Sequence, residues 1–438
     1  MSISVSDLQH RARIAGPIAR FSIGPDDATR AMLCRWHSAF GDIYRVRPDH
    51  GDAEHWVVHD PEAVQQILVR NSRNYSKGMG LDRVKILLGN GIMVSEADFW
   101  ARQRRLIQPA FKPRALADFN AMIFDENVVL AKRWSQFAAA REPLDVAAEI
   151  SELTLVIVLK SIFGEDYADL IAGGANPFAL LSEAPERNLR FAARFHRLRK
   201  VVESIIDKRL GAPRQPFDFL GHMLAARSRD GEAMTHRELV DEVLTLIVAG
   251  HETTASALAW GWYLIATHPE VGATLQAAAD AIDMDALRRD GGHRNDAFAW
   301  FDATVNETLR LYPPGWLLSR RALAPDRLGG YDIEPGTQLF ISPYVLHRHG
   351  DYWQDPECFD PTRFIDGEQP AHRFAYVPFA AGPRHCVGEQ MALTEMRVHL
   401  AVMIRAFTPC YVAAHPPQIE SHINLRPADG VRLQLISQ

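Results

Sequence analysis

The sequence predicts a mainly α-helical fold with small β-sheets. Across most of residues 60–300, apolar side chains recur at spacings of three and four, for example in PEAVQQILVRN and ISELTLVIVLKSIFG, which is the period of one helix face. Strand-like patterns are short and lie towards the two ends of the chain. The segments between these patterns are short and the sequence contains no internal repeat, so a repeat protein is not indicated.

The predicted strands lie in three places. The sequence IYRV followed by EHWVVHD predicts a hairpin that turns at Pro48–Gly51. Further strands are predicted at Thr337–Ile341 and in the final VRLQLIS. The sheets are therefore expected to be minor parts of the fold.

The longest helix is predicted to begin at Thr235 and to end as Pro269 approaches. Thr235 and Glu238 are spaced as a capping box, in which each side chain bonds to the backbone N–H of the other residue. At about 1.5 Å per residue, this helix is on the order of 50 Å long, enough to cross a whole domain. Its middle, LIVAGHETTASALAW, is apolar nearly all round, which is typical of a buried helix.

Small and polar residues interrupt this apolar helix at Gly250, Glu252, Thr253 and Thr254. Glycine is a poor helix former and a threonine hydroxyl can bond to a carbonyl one turn earlier, so we expect the helix to bend or open here. A buried carboxylate at Glu252 needs either a structural partner or a function, and the helix alone leaves both interpretations open.

The composition is that of an ordinary globular protein. Of the 438 residues, 47% are hydrophobic and 23% are charged, which supplies material for a large core and excludes a disordered or collagen-like chain. The 48 basic and 54 acidic side chains give a net charge of −6, which argues against general nucleic-acid binding. Length alone suggests about three domains, at roughly 150 residues each.

The cysteines and the N-terminus indicate a cytoplasmic protein without a membrane anchor. The four cysteines are far apart and form no C-x-x-C pair, so their spacing predicts neither a zinc site nor a disulfide framework. Residues 1–30 contain no apolar run near the roughly 20 residues that a membrane span needs, and no signal-peptide core.

The sharpest motif is FAAGPRHCVG, from Phe379 to Gly388, which precedes the helical pattern EQMALTEMRVHLAVMIRAF. A cysteine thiolate at the N-terminal end of a helix is stabilised by the exposed N–H groups and by the positive end of the helix dipole. Gly382 and Gly388 allow the backbone to pack close to a flat group. From these residues alone, Cys386 is either a ligand or a small buried apolar side chain.

Five motifs make the chain resemble the cytochrome P450 family. FAAGPRHCVG matches the family's haem-binding pattern F-x-x-G-x-R-x-C-x-G at every specified position. AGHETT matches A-G-x-[DE]-T-T, and Trp100 with Arg104 matches W-x-x-x-R. Glu307 and Arg310 match E-x-x-R, and the segment around Arg363 is similar to the downstream segment that supplies a third charged partner. The motifs occur in the family's order and cover most of the chain.

The resemblance implies the cytochrome P450 fold, a triangular helical domain around a buried haem b (iron protoporphyrin IX). The motif residues are spread along the chain and would converge on one haem. Residues 1–438 are therefore expected to form a single domain without a fused reductase or ferredoxin module, rather than the three domains that length suggests. A monomer is expected.

The resemblance also implies a role for each matched residue near the haem. Cys386 would be the axial thiolate ligand of the haem iron, where it pushes electron density onto the metal. Trp100, Arg104 and Arg384 would bind the haem propionates. The other residues expected to contact the haem are Ala249, Gly250, Phe379, Gly382 and Gly388.

Two further groups are expected to act differently. Glu252 and Thr253 would form a catalytic pair that delivers protons during O2 activation. Glu307, Arg310 and Arg363 would form a buried ionic group that stabilises the fold and takes no part in catalysis.

The implied activity is that of a haem-thiolate monooxygenase, which activates O2 with two electrons and oxidises a hydrophobic small molecule. Electrons would come from a separate ferredoxin or flavodoxin-type donor with its reductase, so that NAD(P)H acts only indirectly. A basic face on the cysteine side of the haem would attract an acidic donor. Its expected members are Arg102, Arg105, Lys112, His385 and Arg397.

The substrate pocket is expected to be apolar, which favours a terpenoid, and then a fatty acid or a polyketide. Its expected lining residues are Leu87, Ile92, Val248, Ala249, Trp316, Leu317 and Ile423. Two alternatives stay open: an electron-independent haem-thiolate enzyme (peroxygenase, isomerase or dehydratase) and a non-catalytic haem-binding sensor. Electron-independent members commonly depart from the acid–alcohol pair, so the intact pair Glu252–Thr253 favours O2 activation.

Overall fold

The computed structural model describes residues 15–50, 54–80, 82–171, 176–178, 189–212, 215–292, 296–365 and 370–438. Helices dominate this part of the chain, as the apolar periodicity predicts. The α-helices are α1 (Asp27–Phe40), α2 (Pro61–Gln65), α3 (Asp82–Leu88), α4 (Ala97–Ile107), α5 (Pro113–Leu116), α6 (Asn120–Ala140), α7 (Val146–Phe163), α8 (Asp166–Ile171), α9 (Leu189–Leu210), α10 (Phe219–Ala225), α11 (His236–Thr267), α12 (Pro269–Asp280), α13 (Met284–Asp290), α14 (Ala299–Leu311), α15 (Pro343–Leu346) and α16 (Glu389–Ala406).

The strands form four small sheets in the described part of the chain. They are β1 (Ile43–Val46), β2 (His55–Val58), β3 (Tyr75–Lys77), β4 (Leu144–Asp145), β5 (Leu318–Ala322), β6 (Asp326–Leu328), β7 (Tyr331–Ile333), β8 (Gln338–Ile341), β9 (Phe407–Tyr411), β10 (Ile419–Ser421), β11 (Leu425–Pro427) and β12 (Arg432–Ser437). The largest sheet has the order β1-β2-β8-β5-β3, in which β2 and β8 are parallel and the other neighbours antiparallel. β12 pairs with both β4 and β9, while β6–β7 and β10–β11 are two-stranded.

The predicted strands lie where their patterns place them. β1 and β2 are antiparallel with Ile43 opposite Val58, which confirms the predicted hairpin. Part of its predicted turn at Pro48–Gly51 lies outside the described residues. The strands predicted at Thr337–Ile341 and in VRLQLIS correspond to β8 and β12.

Helix α11 is the longest helix among the described residues. The Thr235 hydroxyl accepts a hydrogen bond from the Glu238 N–H, and the Glu238 carboxylate accepts one from the Thr235 N–H at 2.7 Å, so the predicted capping box is confirmed. The helix ends at Thr267, shortly before Pro269. Its 32 residues span about 48 Å. Helices α7, α9, α14 and α16 pack against it, so α11 is the central helix of the fold.

The opening expected near Gly250 is wrong for this structure, because the α-helix is continuous from His236 to Thr267. The expected side-chain bond does occur, since Thr253 Oγ1 donates to the Ala249 carbonyl at 2.9 Å. Close helix packing explains the glycine at position 250, because a Cβ there would lie 3.0 Å from Val158 Cγ2 on α7. The glycine therefore permits the close approach of α7 and α11.

The buried apolar residues form three clusters in the described chain. The largest lies among the helices and extends from Leu88 on α3 to Leu435 on β12. The other two lie on opposite faces of the five-stranded sheet, because successive strand residues point to opposite sides. Trp56 belongs to one of them, and Val57 joins the other, which also contains Trp260 of α11. The sheet is therefore packed on both faces.

A buried ionic group joins α14 to the chain that follows α15. Glu307 and Arg310 are fully buried, and Arg310 Nε and Nη2 donate to the two carboxylate oxygens of Glu307 at 2.7 and 2.8 Å. Arg363 Nε lies 3.4 Å from Glu307 Oε1, so the three residues of the predicted ionic group are in contact. The Arg310 guanidinium also donates to three backbone carbonyls, those of His347, Pro356 and Cys358.

Replacing Arg310 with alanine is expected to destabilise the fold by about 3–5 kcal/mol, because the Glu307 carboxylate stays buried without its partner. Denaturant-induced unfolding measures this loss. Arg288→Ala is the matched control, since the Arg288–Asp125 pair is equally short, at 2.7 Å, but exposed to water. An Arg310→Ala variant as stable as this control would contradict the structural role.

Candidate active site

The segment Phe379–Gly388, called the cysteine loop below, is a closed turn in front of α16. The Cys386 N–H donates to the Phe379 carbonyl at 3.0 Å. Gly382 has a φ of +71°, and a Cβ there would overlap the Leu68 carbonyl oxygen, so glycine is required at this position. α16 begins directly after the loop, which places the Cys386 sulfur at the N-terminal end of that helix.

Cys386 has accessible surface, although protein atoms surround its sulfur closely enough to remove much of its hydration. Burial raises the pKa of the thiol, whereas hydrogen bonds from the N–H groups of Gly388 and Glu389 and the nearby Arg104 charge lower it. The loop thus offers hydrogen bonds to a thiolate at a place where the thiolate loses hydration. A bound metal cation would compensate for that loss.

Residues 248–253 of α11, called the window below, are partly accessible apart from His251, whereas the helix on either side of them is buried. Residues 239–247 and 254–262 are buried. The partly accessible residues between them are Val248, Ala249, Gly250, Glu252 and Thr253. Positions 248, 249, 252 and 253 share one helix face, because residues three and four apart are neighbours on a helix. The central helix therefore presents an apolar patch next to an acid and an alcohol.

The polar residues of this segment have defined partners. Glu252 Oε2 accepts a hydrogen bond from Asn424 Nδ2 at 2.9 Å. The Thr253 hydroxyl donates within its own helix, which leaves its oxygen able to accept a hydrogen bond. His251 is buried, its Nε2 lies 3.0 Å from Ser151 Oγ on α7, and burial lowers the pKa of its ring. His251 therefore belongs to the contact between α7 and α11, while Glu252 and Thr253 belong to the window.

Arg384 of the cysteine loop lies near three other charged side chains, those of Glu96, Lys77 and Arg320. Arg384 donates to Glu96 Oε2 at 2.6 Å, and its guanidinium lies 4.0 Å from the centre of the Trp100 ring. Lys77 on β3 is directly opposite Arg320 on β5 in the antiparallel register. Burial, together with the charges of Arg384 and Arg320, lowers the pKa of Lys77 to about 7. Three cations share one carboxylate here, so this cationic group is short of negative charge.

Helix α4 is bonded to the cysteine loop through Arg104. Its Nη1 donates to the His385 carbonyl at 2.9 Å. Burial lowers the pKa of Arg104, and the proximity of Cys386 opposes this effect. Trp100 lies one turn earlier on α4, against Arg384. The structure therefore brings Arg384, which is distant in the sequence, next to Trp100 and Arg104 of α4.

A cleft of about 900 Å³ opens between α4, the cysteine loop and the start of α16. Arg105 and His385, two expected members of the basic face, line this cleft. Arg104 and Arg373 also line it, and Arg373 was not predicted because it lies in a loop without a motif. Glu389 is the one acidic residue among these lining residues, so the cleft is basic.

Three expected members of the basic face lie elsewhere. Arg397 is buried and pairs with Asp302 at 2.7 Å, so its inclusion was wrong. Arg102 pairs with Glu238 near the start of α11 at 3.1 Å and is outside the lining of the cleft. Lys112 is exposed but is outside the lining of the cleft.

The fold is mainly helical, and the cysteine loop places an accessible thiol at the start of α16, which suits ligation of a metal. A family model described as Cytochrome P450 matches residues 21–173 and 174–429. Cyclooctatin synthase of Streptomyces melanosporofaciens is 33% identical over 386 residues, covering 83% of this chain and 82% of that protein. Cyclooctat-9-en-7-ol 5-monooxygenase of the same organism is 31% identical over 393 residues, covering 83% of this chain and 82% of that protein. The chain belongs to the cytochrome P450 family and is a cytochrome P450 monooxygenase.

A solved structure has the same fold. The crystal structure of the cytochrome P450DA heme domain superposes with a TM-score of 0.82 at 24% sequence identity, covering 97% of this chain and 99% of that chain. The predicted cytochrome P450 fold is confirmed. Within the described residues, each helix is too short or too polar to cross a membrane.

The residues around the cysteine loop fit the haem that the family uses. Cys386 provides an accessible thiol, and the N–H groups of Gly388 and Glu389 favour the thiolate form that a metal binds. The cationic group of Lys77, Arg320 and Arg384 lacks negative charge, which the two propionate carboxylates of a haem would supply. Arg384 was expected to bind a propionate together with Trp100 and Arg104, and the structure shows that it is also paired with Glu96. Lys77 and Arg320 were missed, because their proximity follows from strand register.

The expected pocket residues separate into two groups. Leu87, Ile92 and Val248 are partly accessible and pack against the large helical cluster. Trp316 is fully buried in the cluster that contains Trp260, and its Nε1 donates to the His422 carbonyl at 2.8 Å. The prediction that Trp316 lines the pocket is therefore wrong, because its ring fills the core beneath the sheet.

The remaining pocket candidates lie near Trp316 or at the hairpin β10–β11. Leu317 packs against the same cluster as Trp316. Ile423 is 43% exposed on the hairpin tip, next to Asn424, which reaches Glu252 on α11. Ile423 stays a candidate for the pocket because its neighbour contacts the window.

Two acids on α11 that the sequence analysis did not single out hold the loop before α4. Asp241 Oδ2 accepts a hydrogen bond from the Asn90 N–H at 2.9 Å, and Glu242 Oε2 accepts one from the Ile92 N–H at 2.8 Å. Gln103 donates to the other Glu242 oxygen at 3.0 Å. Burial raises the pKa of Glu242 to about 7, although the bonds from Ile92 and Gln103 oppose this rise. Ile92, an expected pocket residue, is therefore fixed to α11.

Glu242 should make stability depend on pH. Between about pH 4.5 and 7 the folded protein holds the Glu242 proton while the unfolded chain has lost it. The free energy of unfolding should therefore fall on the order of 3 kcal/mol as the pH rises through that range, and stay constant above it. Glu242→Gln should remove this component, as measured by urea unfolding at several pH values. The exposed Glu152→Gln serves as the control, and equal pH slopes in both variants would contradict the assignment.

Arg320→Gln is expected to weaken haem retention. It removes a charged donor from the cationic group, and such a hydrogen bond contributes about 1.5–3 kcal/mol, so haem transfer to an acceptor protein should be about tenfold faster or more. Arg321→Gln is the matched control, because Arg321 is the next residue of β5 and is exposed. Equal haem loss from the two variants would show that the cationic group does not hold the cofactor.

Proposed function

We propose that this cytochrome P450 hydroxylates or otherwise oxidises a hydrophobic small molecule, with a terpenoid as the preferred class and a fatty acid or a polyketide next. The observation that carries the proposal is the window on α11, where Val248 and Ala249 adjoin Glu252 and Thr253. The name of one relative gives cyclooctat-9-en-7-ol, an alcohol with a carbon–carbon double bond, as its substrate. A largely apolar carbon skeleton of that kind supports the terpenoid class.

In this proposal Cys386 ligates the haem iron, and the haem, when bound, supplies the activation of O2. The N–H groups of Gly388 and Glu389 stabilise the thiolate from the start of α16. The residues proposed to hold the propionates or to lie beside the ring are Lys77, Trp100, Arg104, Ala249, Gly250, Arg320, Phe379, Gly382 and Arg384.

Glu252 and Thr253 are the proposed proton-delivery pair. Glu252 is partly accessible, so its carboxyl group can exchange a proton with water that enters the window. The Thr253 oxygen can accept a hydrogen bond while its own proton stays on the Ala249 carbonyl. The two side chains would pass a proton into the window while the surrounding apolar residues limit the entry of bulk water.

The proposed electron source is a ferredoxin or flavodoxin-type protein with its own reductase, so that NAD(P)H is consumed only through these partners. The basic cleft beside the cysteine loop supports this proposal. Arg104, Arg105 and Arg373 line it, with Glu389 as the acid among the lining residues. An acidic donor would be steered towards such a surface.

Reversing the charge at Arg105 should slow reduction of the haem at low ionic strength by about tenfold, because electrostatic steering raises association rates by at least that much. Stopped-flow reduction with a surrogate ferredoxin measures the rate. Arg35→Glu makes the same charge change at an exposed position of α1 and should leave the rate unchanged. Reduction by the unmodified protein that does not respond to salt would exclude an electrostatic docking face.

The proposed activity is tested by two spectroscopic measurements and one turnover assay. The reduced protein with CO should absorb near the position typical of the family, and its absence would reject ligation by Cys386. A panel of terpenoids, fatty acids and polyketides is then screened for the spin-state shift of the ferric haem. Turnover with NAD(P)H and surrogate partners, but not with peroxide alone, would separate a monooxygenase from an electron-independent enzyme. Spectral response without turnover of any kind would favour a sensor.

We also propose that residues 1–438 form one domain and that the protein is a monomer. Contacts between distant segments support the first part, such as Arg104 with His385 and Glu252 with Asn424. The two matched segments, 21–173 and 174–429, follow one another within a single family model.

A further inference from the structure

The tip of the hairpin β10–β11 contacts the proposed proton-delivery pair. Asn424 Nδ2 donates to Glu252 Oε2 at 2.9 Å, across 172 positions of sequence. We propose that Asn424 is a positioning residue for Glu252, fixing the carboxylate in the window. This inference rests on the proposed role of Glu252 in proton delivery.

The strands on both sides of the tip are anchored. Ser421 is fully buried, its N–H donates to Asp27 Oδ1 at 2.8 Å, and its hydroxyl accepts a hydrogen bond from Arg30 Nε at 2.7 Å. Leu425 is also fully buried, and its N–H donates to the Pro314 carbonyl at 3.1 Å. The hairpin is therefore bonded to α1 and to the segment before β5, which fixes the place of its tip.

Helix α11 presents a matching polar ridge to the hairpin. Glu252, Ser256 and Trp260 are spaced four apart and so lie on one helix face. Ser256 Oγ and Trp260 Nε1 both donate to the Leu425 carbonyl, the latter at 3.3 Å. Glu252 continues the same ridge and accepts from Asn424. The hydrogen bonds between α11 and the hairpin thus form a continuous row that ends at Glu252.

The chemistry of the amide suits this role. A carboxylate held by Lys or Arg is kept ionised by the opposite charge, whereas an amide N–H adds a hydrogen bond without a full charge. Asn424 therefore restricts the rotamer of Glu252 through a donor that carries no full charge. Without the amide, Glu252 gains access to other staggered rotamers, and fewer of its conformations are productive for transfer.

The test uses haem-loaded protein with a surrogate ferredoxin, its reductase, NADPH and O2, and no organic substrate. The rate of NADPH oxidation is measured in H2O and in D2O, together with the fraction of electrons recovered as hydrogen peroxide. Asn424→Ala should change the H2O/D2O rate ratio at least about twofold, in the same direction as Glu252→Gln, because both impair an acid–base step. Asn424→Gln, which keeps the amide, should restore the ratio in part.

Two further measurements separate positioning from general loosening of the hairpin. Arg426→Ala is the matched control, because Arg426 pairs with Glu420 inside the hairpin. This variant should leave the isotope ratio unchanged. Hydrogen exchange of the backbone amides in residues 416–430 gives a readout without turnover, and Asn424→Ala should leave exchange in β10 and β11 as slow as in the unmodified protein, because Ser421 and Leu425 keep their anchoring hydrogen bonds.

Each outcome decides the inference. If Glu252→Gln changes the isotope ratio and Asn424→Ala does not, or if Arg426→Ala changes it as much, Asn424 does not position Glu252. If Glu252→Gln leaves the ratio unchanged, the proposed role of Glu252 is itself wrong and the inference fails with it. If Asn424→Ala does not load haem, Asn424→Ser takes its place with the same expected results.

Discussion

Ligation of a metal by Cys386 would require the thiolate at a place where burial favours the neutral thiol. Burial raises the pKa of Cys386, so the protein has to supply donors that favour the charged form. The start of α16 supplies the N–H groups of Gly388 and Glu389, and α4 supplies the Arg104 charge. The loop reaches this geometry because Gly382 adopts a positive φ where a side chain would collide with a neighbouring carbonyl. These requirements are all local to the motif, and a metal cation bound at the sulfur would complete the set of charges that favour the thiolate.

The position of the cysteine loop depends in turn on α14. Arg310 and Glu307 of this helix hold the chain after α15 through buried hydrogen bonds. That chain leads into the cysteine loop, and just before the loop the Tyr376 hydroxyl donates to the Asn306 carbonyl of α14 at 2.9 Å. The ionic group thus holds the segment of chain that leads to Cys386. Its contacts stabilise the segment that positions the cysteine loop.

What the sequence predicts well is local or carried by a motif. The capping box of Thr235 and Glu238 needs only a spacing of three, and the pair Glu307–Arg310 needs only neighbouring positions on a helix. Predictions that needed the tertiary arrangement failed. Arg397 looked like a surface cation, but the side of α16 that carries it is covered, and Trp316 looked like a pocket residue while its ring fills the core. A sequence pattern identifies the type of residue at a position, but it does not show which other parts of the chain bury that residue.

The cationic group is a feature that sequence analysis could not predict, because no sequence pattern pairs Lys77 with Arg320. Their opposition follows from the register of β3 and β5, and it costs free energy as long as the neighbouring carboxylate is Glu96 alone. Burial and the neighbouring cations also disfavour the charged form of Lys77. An unfavourable arrangement of this kind persists where binding of an anion compensates for it, and a ligand that binds only the folded state stabilises that state. Binding of the haem propionates would therefore stabilise the folded state, because it would offset the repulsion among these cations.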